Sequence, residues 1–202
     1  MSLFSDVYYE VERDAEFVLR ERGSKFYAYV YGVRSEAEVK EKLEVLKREY
    51  PDATHHCYAW VMGARGEAQR ANDDGEPSNS AGRPILRSII SVGVTNVVVV
   101  VVRYFGGTLL GIPGLIESYG EAAESALRAA GRLEKFIEET YEISSAFEHE
   151  QEIHRLIAKY GARVLGSEYT EQVCYRVAVK AGVGRDFENA LFDHYQLSGK
   201  RM

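Results

Sequence analysis

The chain has 202 residues, 46% of them apolar and 28% charged, which supplies core material for one large domain or two small ones and excludes wholesale disorder. A formal net charge of −6 excludes a generally basic nucleic-acid coat and leaves room only for a focused basic patch. The two cysteines, Cys57 and Cys174, are too far apart in sequence to point to a disulfide framework or a zinc pattern, and they fit a reducing, cytoplasmic setting.

The first residues, Met1–Asp6, lack the basic start and apolar core of a signal peptide. The longest apolar stretch, Val92–Val102, is interrupted by Gly93, Thr95 and Asn96 and is too short to span a bilayer, so no membrane partner is expected. Residues 6–12 and 24–33 read as strands, with a charged stretch, Arg13–Gly23, between them. In the second strand Phe26, Ala28 and Val30 point one way and Tyr27, Tyr29 and Tyr31 the other. The tyrosines have the makings of a base-stacking ladder, but rings packed beneath a helix are the favoured reading, because tyrosine is a common half-buried strand residue.

Ser35 and Glu38 form a capping box, and Val39, Leu43, Leu46 and Tyr50 then share one helical face up to Pro51. His55–Val61 reads as a strand, so His55 and His56 face opposite sides and do not ligate one metal; one is expected to line a site and the other to pack. Residues 63–83 form a long polar loop. Its carboxylates Asp73, Asp74 and Glu76 carry two readings of similar weight: a divalent cation or acid/base site, and turn chemistry around Asp74-Gly75-Glu76-Pro77. A helix follows Gly82, with Pro84 in its first turn, Leu86, Ile89 and Ile90 on its apolar face, and Gly93 at its end.

Six consecutive valines, Val97–Val102, form the expected central strand. An unbroken β-branched run needs apolar cover on both faces, because alternation appears only where one face meets water. Gly106, Gly107, Gly111 and Gly114 then lead into a helix from about Gly114 to Ala130. They place a backbone nest at its N-terminus, suited to phosphate or carboxylate, with Lys25, Arg83 and Arg103 as candidate cationic partners. Pairing of the arginines with Asp73, Asp74 or Glu76 is the competing use. The glycine spacing is neither a Walker loop nor a dinucleotide fingerprint, and no cofactor is called for. Beyond a charged linker, Arg132–Glu138, the elements run strand 139–147, helix 149–160, strands 163–170 and 172–180, helix 184–193 and strand 195–199, the β-α-β-β-α-β order of a ferredoxin-like domain.

His55-His56-Cys57, Asp73-Asp74-Gly75-Glu76-Pro77, Ser80-Ala81-Gly82-Arg83-Pro84-Ile85-Leu86, Arg103-Tyr104-Phe105-Gly106-Gly107 and Leu110-Gly111, in this order and spacing, resemble the IMPACT family, including its bacterial YigZ-type members. The resemblance covers nearly the whole chain. It implies an α+β protein: an N-terminal domain over residues 1–131 of the ribosomal protein S5 domain 2-like fold, and a ferredoxin-like domain over 138–202 similar to the last domain of elongation factor G. Eukaryotic relatives act in translational control by competing for a partner of a stress-responsive protein kinase, with an additional domain outside this resemblance. The expectation that carries over is translation-linked binding, to RNA, the ribosome or a translation-related protein. Two positions depart from the family pattern: Ile112-Pro113 replaces a glycine pair, which removes an N–H from the nest, and Asn79-Ser80 replaces Gly-Thr.

Three functions follow as expectations. The first is a binding protein that takes an anionic partner on Lys25, Arg83, Arg103, Gly106, Gly107 and Gly111. The second is an enzyme using Asp73, Asp74 and Glu76 with His55 or His56 on a small phosphorylated or acyl substrate. The third is a protein-interaction module in which these motifs hold the long loop closed.

Overall fold

A computed structural model describes residues 6–202; the sequence reading of Met1–Ser5 lies outside the described residues. The chain divides into two compact units. Residues 8–135 form the larger, and residues 136–202 with Asp6 and Val7 form the smaller.

The larger unit is built on a five-stranded sheet ordered β2 (Ala15–Glu21), β3 (Ser24–Gly32), β6 (Val97–Tyr104), β4 (His55–Met62), β5 (Ala68–Asn72), with every pairing antiparallel. The valine strand β6 is central. Val97, Val99 and Val101 pack into a core with α2 (Gly82–Val92) and α3 (Gly111–Ala130), while Val98, Val100 and Val102 pack beneath α1 (Glu36–Glu49). All six valines are 0% exposed, and each contributes about 1.5–3 kcal/mol of burial. This two-sided cover is why the run does not alternate.

Three segments differ from the sequence expectation. The charged stretch Arg13–Gly23 contains strand β2, whose Glu16 and Arg20 lie on its solvent face while Ala15, Phe17 and Leu19 pack on the core. The polar loop contains edge strand β5, four of whose five residues are exposed and which is held by pairing with β4. The charged linker contains β7 (Arg132–Phe136), which pairs with β1 (Val7–Val11) as a separate two-stranded ribbon.

The Ser35 hydroxyl caps α1 by accepting from the Glu38 N–H, and the Glu38 carboxylate accepts from the Arg34 N–H, one residue beyond the usual capping-box partner. The tyrosine face of β3 lies under α1: Tyr29 is buried, stacks on Tyr31 and shares a hydroxyl contact with Tyr50. Small residues Ala122, Ala123, Ala126 and Ala130 let α3 lie against the sheet, and the Ser88 hydroxyl donates to Gly120 O across the α2–α3 contact.

In the smaller unit, β8 (Glu138–Ser145), α4 (Glu150–Tyr160), β9 (Arg163–Tyr169), β10 (Val173–Lys180), α5 (Ala181–Asp193) and β11 (Leu197–Arg201) give an antiparallel sheet ordered β11-β8-β10-β9. Tyr141, Ile143, Val177 and Val179 pack with Ile153, Leu156, Phe187 and Leu191 of the two helices. The β-α-β-β-α-β order and this strand arrangement are ferredoxin-like. No helix among the described residues is long and apolar enough to cross a membrane.

Candidate functional site

Strand alternation places Arg103 on the α2/α3 side of the sheet, in register with Phe26 on β3 and His55 on β4. The residue is 5% exposed, and its guanidinium lies 5.3 Å from the Phe26 ring centroid and 5.7 Å from that of Phe105. Its Nη1 donates to Glu76 Oε1 at 2.5 Å and its Nη2 to Ser24 Oγ at 3.4 Å. Tyr119, from the inner face of α3, donates its hydroxyl to the same Glu76 oxygen at 2.7 Å, and the Cys57 thiol sits 3.3 Å from that hydroxyl. Glu76 is 9% exposed and in this way has two donors of its own.

His55 Nδ1 is 2.8 Å from Asp74 O, an atom that only accepts, so Nδ1 is the donor of this contact, and Nε2 is turned toward Glu76 Oε1, 3.8 Å away. Burial pushes the Tyr119 hydroxyl and the Cys57 thiol well above their ordinary values, so neither is an activated nucleophile. His56 faces the other side of the sheet, 8% exposed. Burial lowers its imidazole below the usual value and the Asp74 carboxylate partly opposes this.

The remaining carboxylates organise the loop. Asp73 Oδ1 accepts from the N–H groups of Ala81 and Gly82, and Oδ2 from that of Asn79, so this side chain caps α2, which has no cap at its own Ala81. Asp74, at φ 42°, accepts the His56 N–H on Oδ2 and donates its own N–H to Asn72. No set of three or more His, Cys, Asp or Glu side chains stands where it would hold a metal ion, among the described residues.

Over the Arg103–Glu76–His55 floor lies a cavity of about 420 Å3, walled by Phe105, Leu109, Leu110, Gly111, Ile112 and Leu115. Leu109 is 83% exposed, Ile112 54% and Phe105 46%, so the mouth is apolar and open. Gly106 shapes the turn behind it: a Cβ there would overlap the Gly23–Ser24 backbone, and its N–H donates to Ser24 Oγ at 3.2 Å. Gly107 and Gly111 both hold positive φ. The α3 N-terminus has neither a side-chain cap nor an acidic first-turn residue.

The structure thus joins His55, Glu76 and Arg103, with Gly111 in the wall and Gly106 behind it. It does not bring Lys25 or Arg83 to them. Lys25 is exposed and shares the tyrosine face of β3, opposite Arg103, and Arg83 is exposed on the first turn of α2, outside the cavity lining. Arg103 itself is paired with Glu76, the competing use that the sequence left open for the arginines. Tyr119, Ser24 and Leu109 were not picked out as site residues by sequence reasoning, and Ile112 was noted only as a departure from the glycine pattern. The available signals were a lone hydroxyl-bearing ring on the small-residue face of α3 and bulky aliphatics inside a glycine loop.

The Impact N-terminal domain family model matches residues 22–127, a span that contains every candidate residue named above. IMPACT family member YigZ of Escherichia coli is 34% identical over 180 residues, covering 88% of this chain and 87% of that protein. IMPACT family member YvyE of Bacillus subtilis is 37% identical over 128 residues, 63% of this chain and 59% of its own. A crystal structure of a hypothetical protein aligns with a TM-score of 0.70 and 30% identity over 98% of both chains.

Proposed function

The chain belongs to the IMPACT family, and from that premise we propose that it is a translation-linked regulatory protein that acts in the cytoplasm by binding, with the cavity over Arg103 and Glu76 as its partner-contact site. One observation carries the choice of partner. The charged groups of the floor are already matched to one another, while the rim exposes Phe105, Leu109 and Ile112, so the site fits an apolar side chain of a protein partner better than a phosphate. RNA or ribosome contact through Lys25, Arg83 and the glycine loop has a narrower basis, the uncapped N-terminus of α3. The enzyme reading keeps only His55 and Glu76, since Asp73 and Asp74 are consumed as caps and turn acceptors.

The test is co-sedimentation of the purified chain with ribosomes and with the ribosome-free protein fraction of a translation extract. It compares wild type with Leu109→Asp and Arg83→Glu. Loss of binding in Leu109→Asp with retention in Arg83→Glu supports the apolar site. The reverse pattern moves the site to the basic residues and to RNA.

A further inference from the structure

Near the start of α4 the smaller unit shows two large rings to solvent. Phe147, in a short 3-10 turn over residues 147–149, is 51% exposed, and Tyr169, at the end of β9, is 56% exposed. They lie almost parallel, 18° apart in plane with 6.5 Å between centroids. The Tyr169 and Tyr175 hydroxyls, 2.8 Å from each other, both donate to Glu150 Oε1, at 2.9 and 2.7 Å. The Tyr169 ring is therefore held in place before anything binds, with Phe147 stacked on it, which lowers the ordering cost of association. The hydrogen bonds from Tyr175 and Tyr169 hold the Glu150 carboxyl below the ordinary carboxylate range, so it is ionised at neutral pH.

The charge around the rings decides what they fit. Glu148 adjoins Phe147 and Glu152 follows Glu150 on α4, while Glu168, next to Tyr169 in the chain, alternates to the other face of β9 and takes no part. Of the basic side chains nearby, Arg155 is committed to Glu152 at 2.5 Å, while the rings of His149, 3.4 Å from Glu148, and His154, 3.7 Å from Glu150, add positive charge only when protonated. A nucleobase would stack on these rings, but its phosphates would meet carboxylates. A cation is matched in sign, and a flat delocalised guanidinium suits a ring face better than a strongly hydrated ammonium. The positive end of the α4 dipole opposes a cation, and the two carboxylates in its first turn, Glu150 and Glu152, offset it.

We propose that Phe147, Tyr169 and Glu150 form a docking site for an arginine side chain of a partner protein. The rings supply the stacking surface and Glu150 the opposite charge. This site is independent of the apolar cavity in the other unit.

The experiment titrates the full chain with a blocked peptide alternating glycine and arginine, with its glycine–lysine counterpart and with oligouridine, followed by calorimetry. The arginine peptide should bind about tenfold more tightly than the lysine peptide, and Phe147→Ala and Glu150→Gln should each weaken it by about tenfold. Equal affinity for the two peptides, preference for oligouridine, or unchanged binding in Phe147→Ala overturns the proposal. Phe147 is half exposed, so its truncation leaves the fold in place, and an unaltered thermal midpoint checks this. Leu109→Asp should leave peptide binding untouched, which separates this result from that of the cavity.

Discussion

At the residue scale the deciding pair is Glu76 and Arg103, with side chains 3% and 6% exposed. Removing one member of a buried ion pair is worse than removing both, because the survivor keeps its charge without a partner. Glu76→Gln should therefore lower the unfolding free energy by about 3 kcal/mol, and the double change Glu76→Gln with Arg103→Met by less than the sum of the single changes. Urea unfolding of the four proteins checks both statements.

His56 gives a pH test of the same region. Its folded value lies below the ordinary 6.5, so between the two values the unfolded chain binds more protons than the folded one. Stability contributed by the neutral imidazole is present above 6.5, falls as pH drops through that range, and levels off below the folded value. In the His56→Gln variant this part of the slope should vanish, and unfolding curves between about pH 7.5 and 5.5 would show a flatter profile than wild type. An unchanged slope would assign the titration to another group. That the two histidines divide, one to the cavity and one to the packing, was readable from strand alternation alone. Pairing of the arginines with Asp73, Asp74 or Glu76 was open from the sequence, but that Arg103 takes Glu76, 27 positions away, depends on how the loop after β5 lies against β6, and a single sequence does not carry that information.

At the scale of elements, Asp73 is the device that closes the loop onto α2. Its carboxylate takes three backbone N–H groups, so Asp73→Ala should destabilise the protein by about 2 kcal/mol, and Asp73→Asn by less, because one acceptor oxygen remains. Thermal unfolding orders these variants. Of the turn-chemistry and cation readings open for this loop, the contacts of Asp73 and Asp74 follow the first.

The elements legible in the sequence were those whose own residues carry the signal: the two-sided valine strand, the capped α1, and α2 with its end at Gly93, although of the face expected there Ile90 is 57% exposed and Ile85 is buried in the core instead. Those that were not legible, β2, β5 and β7, are short strands with charged or polar faces. For β5 and β7 the pairing partner, more than any hydrophobic period, makes them strands. Lys25 illustrates a signal present but unused. It alternates with Phe26, so the face that gives Phe26 to the core puts Lys25 on the side away from Arg103.

For the whole molecule, net charge and site chemistry can be read together. A chain at −6 whose cavity floor is internally neutralised has little means of drawing in polyphosphate there, while its open apolar rim needs no counterion exchange to bind. Binding through Leu109 and Ile112 should accordingly depend weakly on salt, with a log–log slope of magnitude below about 2. A partner whose phosphates met several lysines and arginines would show a slope of about −0.9 for each one neutralised. Measuring affinity for the co-sedimenting fraction across a salt series distinguishes the two without knowing the partner beforehand. A steep slope that flattens in Arg83→Glu would place an RNA contact on α2 and make the cavity a structural feature of the loop. A shallow slope, together with loss of binding in Leu109→Asp, would tie regulation by this chain to a protein surface carrying an apolar anchor, because only that chemistry uses the exposed rim and leaves the buried ion pair undisturbed.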